Sequence, residues 1–180
     1  MNIKKIVITG GPGTGKTSII NELKARNHIC LDEISREVTL KAREDGIEQL
    51  FLTQPLLFSE LLLKGREKQY HEANSANTEI VFLDRGLPDV LAYMDYIGDT
   101  YPETFVESCT TNQYDMVFIL EPWQEIFTSD SERYENFDQA VKIHHHLLNT
   151  YERFSYKLRD VPFAKVEERA DFILNVVKTL

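Results

Sequence analysis

Ile3-Lys4-Lys5-Ile6-Val7-Ile8-Thr9 runs directly into Gly10-Gly11-Pro12-Gly13-Thr14-Gly15-Lys16-Thr17. The first part is a short run rich in β-branched residues, which predicts a strand. The second fits the pattern Gly, four residues, Gly-Lys-[Ser/Thr], and Ile19, Ile20 and Leu23 follow it at helical spacing. Strand, glycine loop and helix in this order are the context that gives the motif a chemical meaning. The glycines let the backbone bend round an anion with its N–H groups pointing inward, and a helix beginning near Lys16 adds its positive dipole end. Gly10, Gly11, Gly13, Thr14, Gly15, Lys16, Thr17 and Ser18 are therefore expected to hold the phosphates of ATP or GTP. Lys16 is placed to reach the β- and γ-phosphates, and the Thr17 hydroxyl to ligate Mg²⁺.

Working outward, further strand candidates alternate with helices. His28 to Leu31 is a brief strand, followed by a helix from about Ser35 to Arg43 that Gly46 can close with a left-handed cap. A long helical pattern covers about Pro55 to Ala73, weakened at Gly65. Ile80 to Leu83 and Met116 to Leu120 are continuous apolar runs, the mark of strands covered on both faces. A helix opened by Pro88 and closed by Gly98 lies between them, then a second starting near Pro102. A polar stretch from Thr128 to Asn136 reads as a mobile lid, within a lid segment of about 123–140, before a helix from about Phe137 to Phe154. A last strand of about Ser155 to Val161 precedes a C-terminal helix of about Glu167 to Val177. Alternation of this kind predicts an α/β fold in three layers: an open parallel sheet between two layers of helices. Nothing in the 180 residues reads as a linker, so one domain over 1–180 is expected.

Composition limits the partners. Twenty Lys and Arg against 29 Asp and Glu give a net charge of −9, which argues against general affinity for nucleic acid or anionic membrane. Two cysteines, Cys30 and Cys109, are too few for a disulfide framework and form no CxxC pair, which suits a reduced cytoplasmic setting. The apolar run after Lys5 is too short for a signal peptide, and no stretch is long enough to span a bilayer.

In open α/β sheets, reactive groups collect beyond the carboxyl ends of the strands. Asp84 closes the Ile80 strand and is suited to Mg²⁺ or its water shell, with Arg85 next to it to compensate phosphate charge. Asp32 and Glu33 follow the second strand, and Arg36 lies one helical turn beyond Glu33. Glu33 is the candidate to accept a proton from, or orient, a hydroxyl attacking the γ-phosphate; the competing role for both carboxylates is to cap the next helix. Glu121 ends the fourth strand, where Pro122 makes a turn role equally suitable. Arg133 falls in the lid stretch, placed either to fold over a transferring phosphoryl group or to face solvent. Consecutive His144-His145-His146 on a helix point to different faces and read as ordinary helix residues rather than metal ligands. Trp123 and Tyr134 flank the lid, positioned to stack on a base or to pack.

Four blocks carry a resemblance: Val7 to Thr17, Asp32-Glu33-Ile34-Ser35-Arg36-Glu37-Val38, Asp84-Arg85-Gly86-Leu87-Pro88-Asp89 and Arg133-Tyr134-Glu135-Asn136-Phe137, with the Tyr151 to Pro162 segment behind them. They resemble the ATPase/kinase family typified by the kinase domain of the bacterial NAD regulator NadR, also known as an AAA-type ATPase. The resemblance implies the fold of nucleoside and nucleotide kinases, with five parallel strands in the order 2-3-1-4-5 and a small lid. It further implies that Glu33 and Arg36 face an acceptor cleft, that Asp84 and Arg85 form the Asp-Arg pair of such kinases, and that Arg133 belongs to the lid.

Two function classes follow. One is a small-molecule kinase with Lys16, Glu33, Asp84, Arg85 and Arg133 as catalytic candidates, Glu33, Arg36 and Arg85 lining a nucleoside-like acceptor, and Thr17 and Asp84 toward Mg²⁺. The other is a nucleotide-dependent switch acting through a protein partner. A guanine-reading NKxD motif is absent, the nearest string being Thr111-Asn112-Gln113-Tyr114-Asp115. Monomer and homodimer are both compatible with the sequence.

Overall fold

The structure is a computed structural model that describes residues 3–127 and 135–180. Its centre is a five-stranded sheet: β1 (Lys4–Gly10), β2 (Ile29–Leu31), β3 (Ile80–Asp84), β4 (Met116–Leu120) and β5 (Leu158–Asp160). The strands are ordered β2-β3-β1-β4-β5 and all pairs are parallel, as the sequence resemblance implied. β1 therefore lies between β3 and β4, and the chain leaves it in opposite directions on its two sides. That divergence opens a crevice beyond the carboxyl ends of the three strands. Register sets what faces it: Ile8 pairs with Asp84 and Gly10 with Leu120, which brings the glycine loop, the acidic end of β3 and the end of β4 together.

Successive residues of a strand point to opposite faces, and the core divides accordingly. Ile6, Ile8, Phe82 and Phe118 pack with Ile19, Ile20 and Leu23 of α1 (Lys16–Ala25) and Ala170, Ile173 and Val177 of α8 (Val166–Val177). Val7, Val81, Leu83, Val117 and Ile119 pack on the other face, against α4 (Pro55–Glu72), α5 (Pro88–Ile97), α6 (Glu103–Thr111) and α7 (Phe137–Arg153). Every residue of β4 is buried, which accounts for its unbroken apolar sequence.

Element boundaries follow local chemistry. α2 (Ser35–Glu44) ends at Asp45, with Gly46 at φ 81° donating back to the Arg43 carbonyl. α7 opens on a capping box, in which Asn136 Oδ1 accepts from the Gln139 N–H at 2.9 Å and Gln139 Oε1 accepts from the Asn136 N–H at 2.8 Å. The last strand is shorter than the expected Ser155 to Val161. Ser155 adopts a left-handed φ of 65° and the Ser155 and Tyr156 N–H groups close the end of α7, so extended backbone resumes only at Leu158. α3 (Leu50–Thr53), a single turn buried through Leu50, is too short to leave a periodic signal in sequence. Gly65 does not interrupt α4, which continues to Glu72 with the side chain of Ile34 lying against the glycine.

Candidate functional site

The glycine loop leaves β1 and enters α1 at Lys16, with Gly15 in left-handed backbone at φ 83°. Thr14 is buried and its hydroxyl donates to the Gly11 carbonyl at 3.0 Å, which fixes the turn from within. Thr17 and Ser18 stand exposed on the first turn of α1. Lys16 Nζ donates to Asp84 Oδ1, and both side chains are nearly buried. Burial and the neighbouring Arg85 pull the Lys16 ammonium below its ordinary pKa, while Asp84 and Glu33 act to hold the proton.

A second polar cluster is built round Glu33. Asp32 and Glu33 part company after β2: Asp32 turns outward to Lys24 at 2.6 Å, and Glu33 turns inward. Glu33 Oε2 lies 2.5 Å from Arg85 Nε, and Oε1 lies 3.0 Å from Arg66 Nη2. Oε1 also accepts from the Ser35 N–H at 3.1 Å, so the same carboxylate serves the start of α2. Desolvation alone would raise its pKa; Arg66, Arg85 and Lys16 outweigh it and lower the value to about 2.

Arg85 joins this cluster to the glycine loop. Its Nη1 donates to the Gly10 carbonyl at 3.0 Å and to Asp89 Oδ1 at 3.1 Å, while its Nε holds Glu33. Its backbone sits at φ 74°, a conformation costly for a residue with a Cβ and held here by the Arg85 N–H to the Ile8 carbonyl at 3.0 Å. Burial disfavours its charge, but Glu33, Asp89 and Asp84 raise its proton affinity above the ordinary value. Asp89, itself buried, also accepts from Thr9 Oγ1 at 2.5 Å, the Gly86 N–H at 2.9 Å and Tyr151 Oη at 2.5 Å. One carboxylate thus ties β1, the turn after β3 and α7 to the guanidinium.

Arg36 lies on the exposed side of the first turn of α2, and Glu121 is exposed just after β4. Arg133 and Tyr134 lie outside the described residues, as does most of the Thr128 to Asn136 stretch. Trp123 packs against Phe163 with ring centroids 5.1 Å apart, from the loop between β5 and α8. Of the three histidines, His144 is buried, His145 exposed and His146 against Tyr96. Among the described residues no group of three His, Cys, Asp or Glu side chains converges on a point. The hard oxygens of Thr17 and Asp84 at the glycine loop are a donor set that suits Mg²⁺, which binds few protein ligands and keeps water and phosphate oxygens as the rest.

A model described as an AAA domain matches residues 5–169, nearly the whole chain. The chain belongs to the AAA domain family. No curated protein matches it in sequence. Among solved structures, this AAA domain superposes on the NadR protein in complex with NR with a TM-score of 0.78 and 17% identity, over 99% of its own length and 52% of NadR, so it spans about half of that protein. It superposes on deoxyadenosine kinase from M. mycoides with a TM-score of 0.71 and 17% identity, covering 98% of this chain and 100% of that one. Thymidylate kinase from Candida albicans gives 0.64 and 17%, covering 99% and 92%. The fold of this AAA domain is that of nucleoside and nucleotide kinases.

Arg66, Asp89, Tyr151 and Arg169 carry contacts around Glu33 and Arg85 or at the glycine loop that sequence reading does not assign. For two of them a signal exists. Phe58, Leu62 and Arg66 are four residues apart on the buried stripe of α4, and Arg169, Ile173 and Val177 are four apart on that of α8. A cation at core spacing marks a site rather than a surface.

Proposed function

We propose that this AAA domain is a Mg²⁺-dependent kinase that passes the γ-phosphoryl group of ATP or GTP to a hydroxyl of a nucleoside-like acceptor. The observation that carries the reading is Arg85, whose guanidinium spans from the Gly10 carbonyl at the phosphate loop to the Glu33 carboxylate on the acceptor side. A protein that only bound and released nucleotide would need the first contact and not the second.

In this reading Lys16 draws charge from the transferring group, Thr17 and Asp84 hold Mg²⁺ directly or through water, and Arg85 compensates charge between donor and acceptor. Bound Mg²⁺ would supply neutralisation of the phosphate oxygens. Glu33 aims the attacking hydroxyl by accepting its hydrogen bond. A carboxyl with a pKa of about 2 is a weak proton sink at neutral pH, and the loose transition state of phosphoryl transfer asks little of a base. Glu33 and Asp89 together neutralise Arg66 and Arg85, which favours an uncharged hydroxyl over a phosphate as the acceptor group. Arg36 and the lid residue Arg133 complete the proposed acceptor and phosphoryl contacts. The reduced thiols of Cys30 and Cys109 suit a cytoplasmic setting; among the described residues no helix is long and apolar enough to cross a membrane.

The test is ADP release from Mg·ATP with and without nucleosides, nicotinamide riboside or nucleoside monophosphates. A hydroxyl acceptor should raise turnover about a hundredfold. Glu33→Gln, assayed below its melting temperature, should lose the increment while still binding ATP. Turnover indifferent to every acceptor would favour the switch, and a monophosphate that outperforms every nucleoside would overturn the hydroxyl assignment.

A further inference from the structure

Arg169 is 1% exposed, the bulkiest fully buried side chain among the described residues, and reaches the phosphate loop from α8. Its Nη1 and Nη2 both donate to the Thr14 carbonyl at 3.1 Å. Its Nε has no partner, and among the described residues no carboxylate pairs with it. Trp123 lies on one side, with the guanidinium carbon 5.9 Å from the ring centroid. A Cβ at position 15 would come within 2.8 Å of Nη1, so the glycine is what lets the guanidinium reach the loop. A buried cation without an anion is an expensive arrangement, commonly several kcal/mol, which packing alone does not call for.

The geometry gives it a use. In a planar trans peptide the carbonyl and the following N–H point in opposite directions. Drawing the Thr14 carbonyl outward to α8 therefore turns the Gly15 N–H the other way, into the concavity of the loop. Two charged donors on that carbonyl also polarise the peptide and strengthen the N–H as a donor. We infer that Arg169 is a positioning residue of the phosphate site: it fixes and polarises the Thr14–Gly15 peptide for the polyphosphate of the nucleotide, whose negative charge completes the arrangement. This inference rests on the nucleotide reading of the glycine loop, but not on the identity of the acceptor.

The test compares wild type, Arg169→Met and Arg169→Lys in the full chain, with Mg²⁺ and either ATP or inorganic tripolyphosphate as the probe, by calorimetry. Loss of a charged hydrogen-bond pair predicts that Arg169→Met weakens both ligands by a similar factor, about 10- to 100-fold. Its unliganded melting temperature should equal or exceed that of wild type, because the uncompensated charge is gone. Arg169→Lys, which keeps the charge without the fork, should bind both ligands at intermediate strength. Binding of Arg169→Met within twofold of wild type overturns the inference. Weaker binding of ATP with unchanged tripolyphosphate also overturns it, since that would place Arg169 at the base, and so does a fall in unliganded melting temperature that Arg169→Lys restores together with binding. A wild-type chain that binds neither probe refutes the nucleotide reading itself, a result distinct from all of these.

Discussion

Beside Glu33, Arg66 is 3% exposed and meets that carboxylate; at the glycine loop Arg169 is 1% exposed and, among the described residues, hydrogen-bonds to the Thr14 carbonyl alone. Both sit on the apolar stripe of a helix, and both are tied to a loop at the carboxyl end of the sheet. Arg66 donates to the Gly86 carbonyl at 3.1 Å as well as to Glu33, so its charge is answered within the chain. On the proposed function, the Glu33 side is electrically complete and suits an uncharged acceptor group, whereas the glycine-loop side carries cationic charge that an incoming polyanion would satisfy.

Removing one partner of a buried ion pair strands the other, which makes Arg66→Met the most damaging of these substitutions. It should cost about 3–5 kcal/mol and lower the melting temperature by roughly 10 °C, against no loss for Arg169→Met. Equal losses in the two variants would show that the arginines are equivalent and the contrast empty.

Acid sharpens the same contrast. The folded-state pKa of Glu33 is depressed from 4.5 to about 2, so its contribution to stability is present in full above pH 4.5 and drains away as the pH falls towards 2. About 3 kcal/mol is at stake. Urea unfolding at pH 6 and pH 3 should show a fall in wild type that is smaller in Arg66→Met, where less of the depression remains. Identical pH slopes would sever Glu33 from Arg66.

The smallest effect concerns the metal. Asp84→Asn should raise the Mg²⁺ concentration needed for half-maximal activity by roughly tenfold. An unchanged requirement would leave Asp84 as a partner of Lys16 alone.

Much of the fold is legible in the sequence. The phosphate loop is a local signal, since its glycines, its lysine and the flanking strand and helix are contiguous in sequence. The buried strands β3 and β4 were visible as unbroken apolar runs for the same reason. The strand order came through the resemblance to NadR-type proteins rather than through any property of a single segment. What stayed hidden is what depends on long-range packing. Asp89 reads as a first-turn helix residue, yet it gathers Thr9, Arg85, Gly86 and Tyr151, the last 62 positions away. Asp32 and Glu33 are adjacent and chemically alike, and only the placement of Lys24 on one side and Arg66 on the other separates them.

On the proposed function, phosphoryl transfer ends on a hydroxyl positioned by Glu33. Incubating the chain with Mg²⁺, ATP labelled in its γ-phosphate and a nucleoside, then separating the products, tests it most directly. Label recovered on the nucleoside is the predicted result. Label recovered only as inorganic phosphate, at the same rate with and without nucleoside, would contradict it.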